Sequence, residues 1–150
     1  CVFSRQVIAY TGNVTVQISP DTIGKYICRA SVKGFQEVTA SAQVLMRGKP
    51  RIFRRHPIQF GGADEVIKLE CSAFSIPATE SIVWYAYDER IDIHSGHFSV
   101  QEEATADGIR SSLTIRGAIE SDFTTYNCSI KNSYGHDSFV IDLRKRRKFY

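Results

Sequence analysis

The chain has 150 residues, 43% of them hydrophobic and 23% charged, which is ordinary globular composition and argues against wholesale disorder. No stretch approaches the ~18 apolar residues that a membrane-spanning helix requires, and no leader-like segment opens the chain, so it reads as a mature piece holding one large domain or a domain and a fragment. The net charge is +3 with 19 basic and 16 acidic residues. No nucleic-acid recognition motif accompanies this mild basicity.

In chain order, residues 13–18 alternate: Val14, Val16 and Ile18 fall on one face, Asn13, Thr15 and Gln17 on the other, as a half-buried strand does. Ser19-Pro20-Asp21 marks a turn. Gly24-Lys-Tyr26-Ile-Cys28-Arg-Ala30 follows as a second strand, and Val38, Ala40, Ala42 and Val44 set the inward face of a third. Met46-Arg-Gly48-Lys-Pro50 ends this segment, because Gly closes the strand and Pro50 fixes φ. Beyond it, Ile67, Leu69, Cys71 and Ala73 alternate with Lys68, Glu70 and Ser72, and thirteen positions after Cys71 comes Trp84 with Ile82 on its face. Ser95-Gly96 and Asp107-Gly108 are turn signals bracketing a strand at 98–101. Ile109, Ser111, Leu113 and Ile115 define the next strand, and Phe139, Ile141 and Leu143 the last.

The stretch Asp122-Phe-Thr-Thr-Tyr126-Asn-Cys128-Ser-Ile-Lys-Asn132-Ser-Tyr-Gly135 organises the rest. Tyr two residues before Cys, with Asp four before the Tyr, is the tyrosine-corner arrangement of strand F in an immunoglobulin sandwich, and Trp84 stands where such a sandwich packs a Trp on its disulfide. Asn132 and Gly135 supply the backbone freedom of the following hairpin. Tyr26 and Cys28 repeat the motif, which makes residues 13–44 strands E, F and G of another sandwich. The fold expected is all-β: tandem immunoglobulin-like sandwiches, the first incomplete. It comprises a partial domain at 1–47, a complete one at 48–144 and a basic tail at 145–150.

Four cysteines allow three pairings. Strand context favours disulfides over metal ligation. Cys71 pairs with Cys128, and Cys1 with Cys28 is the natural second pair. Only 27 positions separate Cys1 from Cys28 against 57 between Cys71 and Cys128, and no Trp lies between the first two. Either residues are missing after about Phe3, the favoured reading, or Cys1 is not a strand-B cysteine. An oxidising, extracellular setting follows.

Asn13-Val-Thr15 and Asn127-Cys-Ser129 are N-glycosylation sequons whose asparagines fall on outward strand phases. His94-Ser-Gly-His97 is read as a pair of exposed turn histidines rather than a metal pair, for want of further ligands. Glu102 and Glu103 point to opposite strand faces and make a poor acid/base pair. With no catalytic motif either, neither enzymatic activity nor a cofactor is expected. Arg144, Lys145, Arg146, Arg147 and Lys148 carry five positive charges, so the remainder is net acidic; Arg47, Lys49, Arg51, Arg54 and Arg55 form a second cluster. Both are read as solvated segments first and as a glycosaminoglycan or membrane-surface patch second. Tyr85, Tyr87 and Tyr134 are read first as cross-strand packing and second as a contact patch on the GFC sheet.

Several runs resemble the irre/kirre cell-adhesion family: roughest, kin of irre, the nematode synaptogenesis protein and the vertebrate Neph/Kirrel proteins. They are Cys71-Ser-Ala-Phe-Ser-Ile-Pro77 through Trp84, Ser95-Gly-His-Phe-Ser-Val100, Gly108-Ile-Arg-Ser-Ser-Leu-Thr-Ile115, Tyr126-Asn-Cys128-Ser and Asn132-Ser-Tyr-Gly135. Residues 48–143 are most like the family's fourth immunoglobulin domain in invertebrates, and Cys28-Arg-Ala30 with Gly48-Lys-Pro50 like the end of the third. The resemblance implies a segment of a single-pass membrane protein at cell junctions or synapses. Such a protein meets nephrin-like partners or itself through a first domain that lies outside this chain. This chain would then act as a semi-rigid spacer, with direct binding through the basic patch or the GFC face as the alternative. The corner departs from the usual pattern at Thr22, where Asp21 falls one position early.

Overall fold

The computed structural model describes residues 1–147, and the chain divides into two compact units, Cys1–Met46 and a second from Arg47 onward. The expectations for Lys148, and for 148–150 of the basic tail, lie outside the described residues.

The second unit is a two-sheet sandwich. Its strands are β5 (Arg51–Phe53), β6 (Ile58–Gly61), β7 (Ile67–Phe74), β8 (Ser81–Ala86), β9 (Glu89–Arg90), β10 (Phe98–Thr105), β11 (Gly108–Ile115), β12 (Thr125–Asn132) and β13 (Gly135–Lys145). One sheet runs β10-β11-β7-β5 and the other β6-β13-β12-β8-β9. The period-two faces seen in the sequence close on each other: Leu69, Leu113, Ile115, Tyr126, Ile130, Ile141 and Leu143 are almost wholly buried between the sheets. All pairings are antiparallel except β6 with β13, which run parallel from Ile58–Asp142 to Gly61–Lys145.

Gly108 serves more than the turn that its sequence context signals. A Cβ there would stand 1.8 Å from the Ala73 carbonyl oxygen, so β11 and β7 approach as only glycine permits. Strand β10 runs four residues past the expected 101, because the hairpin closes at Thr105–Gly108. Strand β13 takes in Lys145, which is therefore sheet rather than tail. Pro50, expected in a free joint, is buried within the second unit.

The first unit is a single sheet, β2-β1-β3-β4, built from β1 (Val2–Phe3), β2 (Gln6–Val7), β3 (Gly24–Ala30) and β4 (Val38–Val44). Two expectations fail here. Residues 13–18 form no strand despite their alternation, because no neighbouring strand in this unit offers them a ladder. The Val38, Ala40 and Ala42 face, expected inward, is exposed, because no second sheet of this unit covers it. Tyr26 is the unit's buried anchor, stacked on Phe3 at 4.5 Å between ring centroids.

Candidate functional site

The organising stretch folds as a corner. A 3₁₀ turn, Glu120–Asp122, delivers the chain into β12. The Tyr126 hydroxyl donates back to the Asp122 carbonyl at 2.7 Å, and Asp122 Oδ2 accepts the Ile119 N–H at 2.8 Å. Burial raises the Tyr126 phenol well above its ordinary range, helped by the negative charge of Asp122 and by Tyr87. The same carboxylate oxygen lies 2.7 Å from His97 Nε2. His97 is thus not an exposed turn histidine; it is half-buried and braces a carboxylate 25 positions away. His94 does remain exposed, and among the described residues no group of three or more potential metal ligands forms.

The first unit repeats the corner with different chemistry. Tyr26 donates to the Thr22 carbonyl at 2.6 Å, and Thr22 Oγ1 accepts the Ser19 N–H at 2.8 Å. Thr22 therefore does with a hydroxyl what Asp122 does with a carboxylate, and the departure from pattern is a substitution in kind.

Both disulfides form, but they tie different things. Cys71–Cys128 joins strands of opposite sheets with Cα atoms 6.6 Å apart, while Cys1–Cys28 joins neighbouring strands of one sheet at 4.0 Å. The register explains the difference. Trp84 stands opposite Cys128, and the following strands pair as Tyr85–Arg90 and Ala86–Glu89 around Tyr87-Asp88. In the first unit Val2 stands opposite Ile27, which puts Cys1 level with Cys28, and the pairs Val2–Val7 and Phe3–Gln6 enclose Ser4-Arg5. All four loop residues have positive φ. Cys1 thus occupies the position of Trp84, on strand C. The expectation of missing residues after Phe3 is corrected, because Val2–Val7 already forms a complete C–C′ hairpin.

Asn132 does more than enter a turn. It is buried; its amide nitrogen donates to the Gly48 carbonyl at 2.8 Å and lies within 3.2 Å of Ser75 Oγ and 3.3 Å of the Pro77 carbonyl, while its oxygen accepts the Tyr134 N–H at 2.9 Å. Gly48 N–H in turn donates to the Ile76 carbonyl at 2.9 Å. Asn132→Ala is expected to lower the stability of the second unit by about 2–3 kcal/mol, since buried carbonyls lose their donor. A change under about 0.5 kcal/mol in chemical denaturation would contradict this role.

The basic run is largely compensated. Arg144 pairs with Asp142 at 2.8 Å, Lys145 with Glu120 at 2.8 Å and Arg146 with Glu65 at 3.5 Å, and only Arg147 lacks a carboxylate among the described residues. In the other cluster Arg55 pairs with Asp137 at 2.8 Å and lies over the Phe139 ring. Such exposed pairs contribute at most about 1 kcal/mol each, but they lower the free positive charge that a polyanion would meet.

Of the aromatic candidates, Tyr85 stands on the outer face of the β12 sheet, and Tyr87 and Tyr134 lie in turns. Tyr85 is half-buried beside Asn127; Tyr87, on the turn, donates to the Ser121 carbonyl at 2.7 Å; Tyr134 is exposed. Asn127 sits at the centre of this face, half-buried between Tyr85 and Val140. Asn13 is exposed and lies in no strand.

The family description of the immunoglobulin I-set domain matches residues 53–144. The chain belongs to the immunoglobulin I-set family. The I-set domain is the second unit, and the β6–β13 parallel pair lies within it. Among curated proteins the chain is 32% identical over 96% of its length to the irregular chiasm C-roughest protein of Drosophila melanogaster. It is 28% identical over 95% of its length to the synaptogenesis protein syg-1 of Caenorhabditis elegans. It spans about a fifth of each, 19% and 20% respectively. Among solved structures, Dpr2 Ig1–Ig2 in complex with DIP-Theta Ig1–Ig3 superposes with a TM-score of 0.63 at 25% identity, covering 83% of this chain and 41% of that one. Titin domain M7 gives 0.59 at 23% identity over 69% of this chain and all of M7, a likeness of fold.

Sequence reasoning missed two residues of this I-set architecture, His97 and Asn132. Neither carries a motif that announces its partner, since those partners lie 25 and 84 positions away.

Proposed function

We propose that this chain is an extracellular segment of a membrane-anchored adhesion or recognition receptor. In it, the two units space and orient a distal domain that meets nephrin-like or identical partners at a cell junction or synapse. The reading draws on the similarity to roughest and to the synaptogenesis protein, and it assigns the chain no catalytic role. The observation that carries the spacer role is the joint. Gly48 and Pro50 are already built into the I-set unit, so only residues 45–47 separate the end of β4 from the first residue bonded into it. A joint of so few residues limits how freely a distal site can wander, so less freedom is lost when that site engages. The test is a flexible Gly-Ser insertion after Met46 in the whole receptor, read as cell aggregation at matched surface level. Reduced aggregation is expected, and unchanged aggregation would overturn the spacer reading.

Direct binding of a glycosaminoglycan is the weaker alternative. Three of the five cations at 144–148 already face carboxylates, so retention on immobilised heparin at physiological salt is expected to be slight.

A further inference from the structure

The outer face of the β6-β13-β12-β8-β9 sheet is apolar for a surface that meets water. Ile58 is 44% exposed, Phe60 58% and Val140 51%. The ladders place all three on this one side: Ile58 is level with Asp142, Phe60 with Arg144, and Val140 with Asn127. Tyr85 flanks Asn127 on the other strand, and Val83 flanks Ser129. The sequon Asn127-Cys-Ser129 therefore lies on the middle strand with apolar neighbours to either side. The Asn127 side chain is half-buried, and Oδ1 accepts no hydrogen bond among the described residues, so the amide is not held by the fold.

We infer that Asn127 carries an N-linked glycan whose core sugars lie across this face and cover Val140, Tyr85 and their neighbours. Pyranose rings have apolar C–H faces that pack on aromatic and aliphatic side chains, and their rims of hydroxyls keep the outer surface wet. One covalent occupant thereby converts an apolar patch that would otherwise invite association into a hydrated one. Because Asn127 is half-buried and Cys128 is held in the disulfide, the sugar is added while this segment is still extended and Cys128 is still a thiol. The consequence for function is that this face does not take a protein partner. The inference rests on the extracellular reading proposed above. Asn13, exposed and outside any strand, is the internal control that separates the two.

The test uses the extracellular part of the receptor, secreted from animal cells. After reduction and trypsin, the peptide 117–131 contains Asn127 and the peptide 6–25 contains Asn13. Enzymatic deglycosylation in heavy-oxygen water should label Asn127 in most molecules. Asn127 unmodified would overturn this inference, and label on Asn13 in the same molecules would show that the extracellular reading stands without it. A second measurement addresses coverage. Ser129→Ala, which removes the sequon without touching Asn127, should bind several-fold more of an apolar fluorescent dye than the parent, while Thr15→Ala should not. Equal dye binding by the parent and Ser129→Ala would overturn the covering role even if the glycan is present.

Discussion

Replacing Trp84 by Ala is expected to lower the stability of the I-set unit by about 3–5 kcal/mol, a large share of what a domain of this size possesses. The indole is buried, stands opposite Cys128, and its Nε1–H donates to Ser111 Oγ at 2.9 Å. Truncation removes the largest ring of the core and leaves the wholly buried Ser111 hydroxyl without its donor. Trp84→Phe separates these two contributions. It keeps most of the volume and loses the hydrogen bond, so it should cost less, about 1–2 kcal/mol for the bond and a little for the smaller ring. Because both variants lack the fluorophore, far-ultraviolet circular dichroism in denaturant is the measurement. An Ala variant within about 1 kcal/mol of the parent would mean that the core does not depend on this residue.

Removing the disulfide between the sheets, as Cys71→Ala with Cys128→Val, is expected to cost about 4 kcal/mol. The bond closes a loop across 57 positions, and cross-linking a loop of that length restricts the unfolded chain by about this amount. Trp84 is the single Trp of the chain, so its fluorescence follows the unfolding of this unit alone. The variant should unfold at lower denaturant concentration. It should also show a slope that indicates more surface exposed, since its unfolded state is less confined. The double change at Cys1 and Cys28 should leave this signal where it was, since both residues belong to the other unit. A shared shift would show that the two units do not unfold independently.

How much of this was legible depended on the range of the interaction. Alternation placed β7, β11, β12 and β13 correctly because a half-buried strand writes its face into every second residue. The corner was legible because Tyr126 and Asp122 lie four apart. What failed needed a partner that local pattern does not contain. Residues 13–18 alternate as a strand should, yet extended backbone becomes a strand only when another strand bonds to it. Cys1 looked like a strand-B cysteine because spacing cannot say which strand a residue occupies; its register opposite Cys28 can. Of the candidate site, the sequons and the basic run were visible as letters. That Arg144, Lys145 and Arg146 each face a carboxylate was not, because Glu65 and Glu120 are brought there by the fold.

The parallel ladder between β6 and β13 has a mechanical meaning. The chain enters the I-set unit just before β5 and leaves along β13, so tension applied to its two ends pulls these neighbouring strands in opposite directions along their length. The contacts from Ile58–Asp142 to Gly61–Lys145, continued by the Arg146 N–H on the Gly61 carbonyl at 2.7 Å, are then loaded in shear and must break together. An antiparallel hairpin pulled from its open end would instead unzip, each bond failing in turn. Once the ladder gives way, the Cys71–Cys128 bridge stops the segment it encloses from extending. A unit arranged in this way resists force steeply and then releases only the segments outside the bridge, which would suit the adhesion role proposed above.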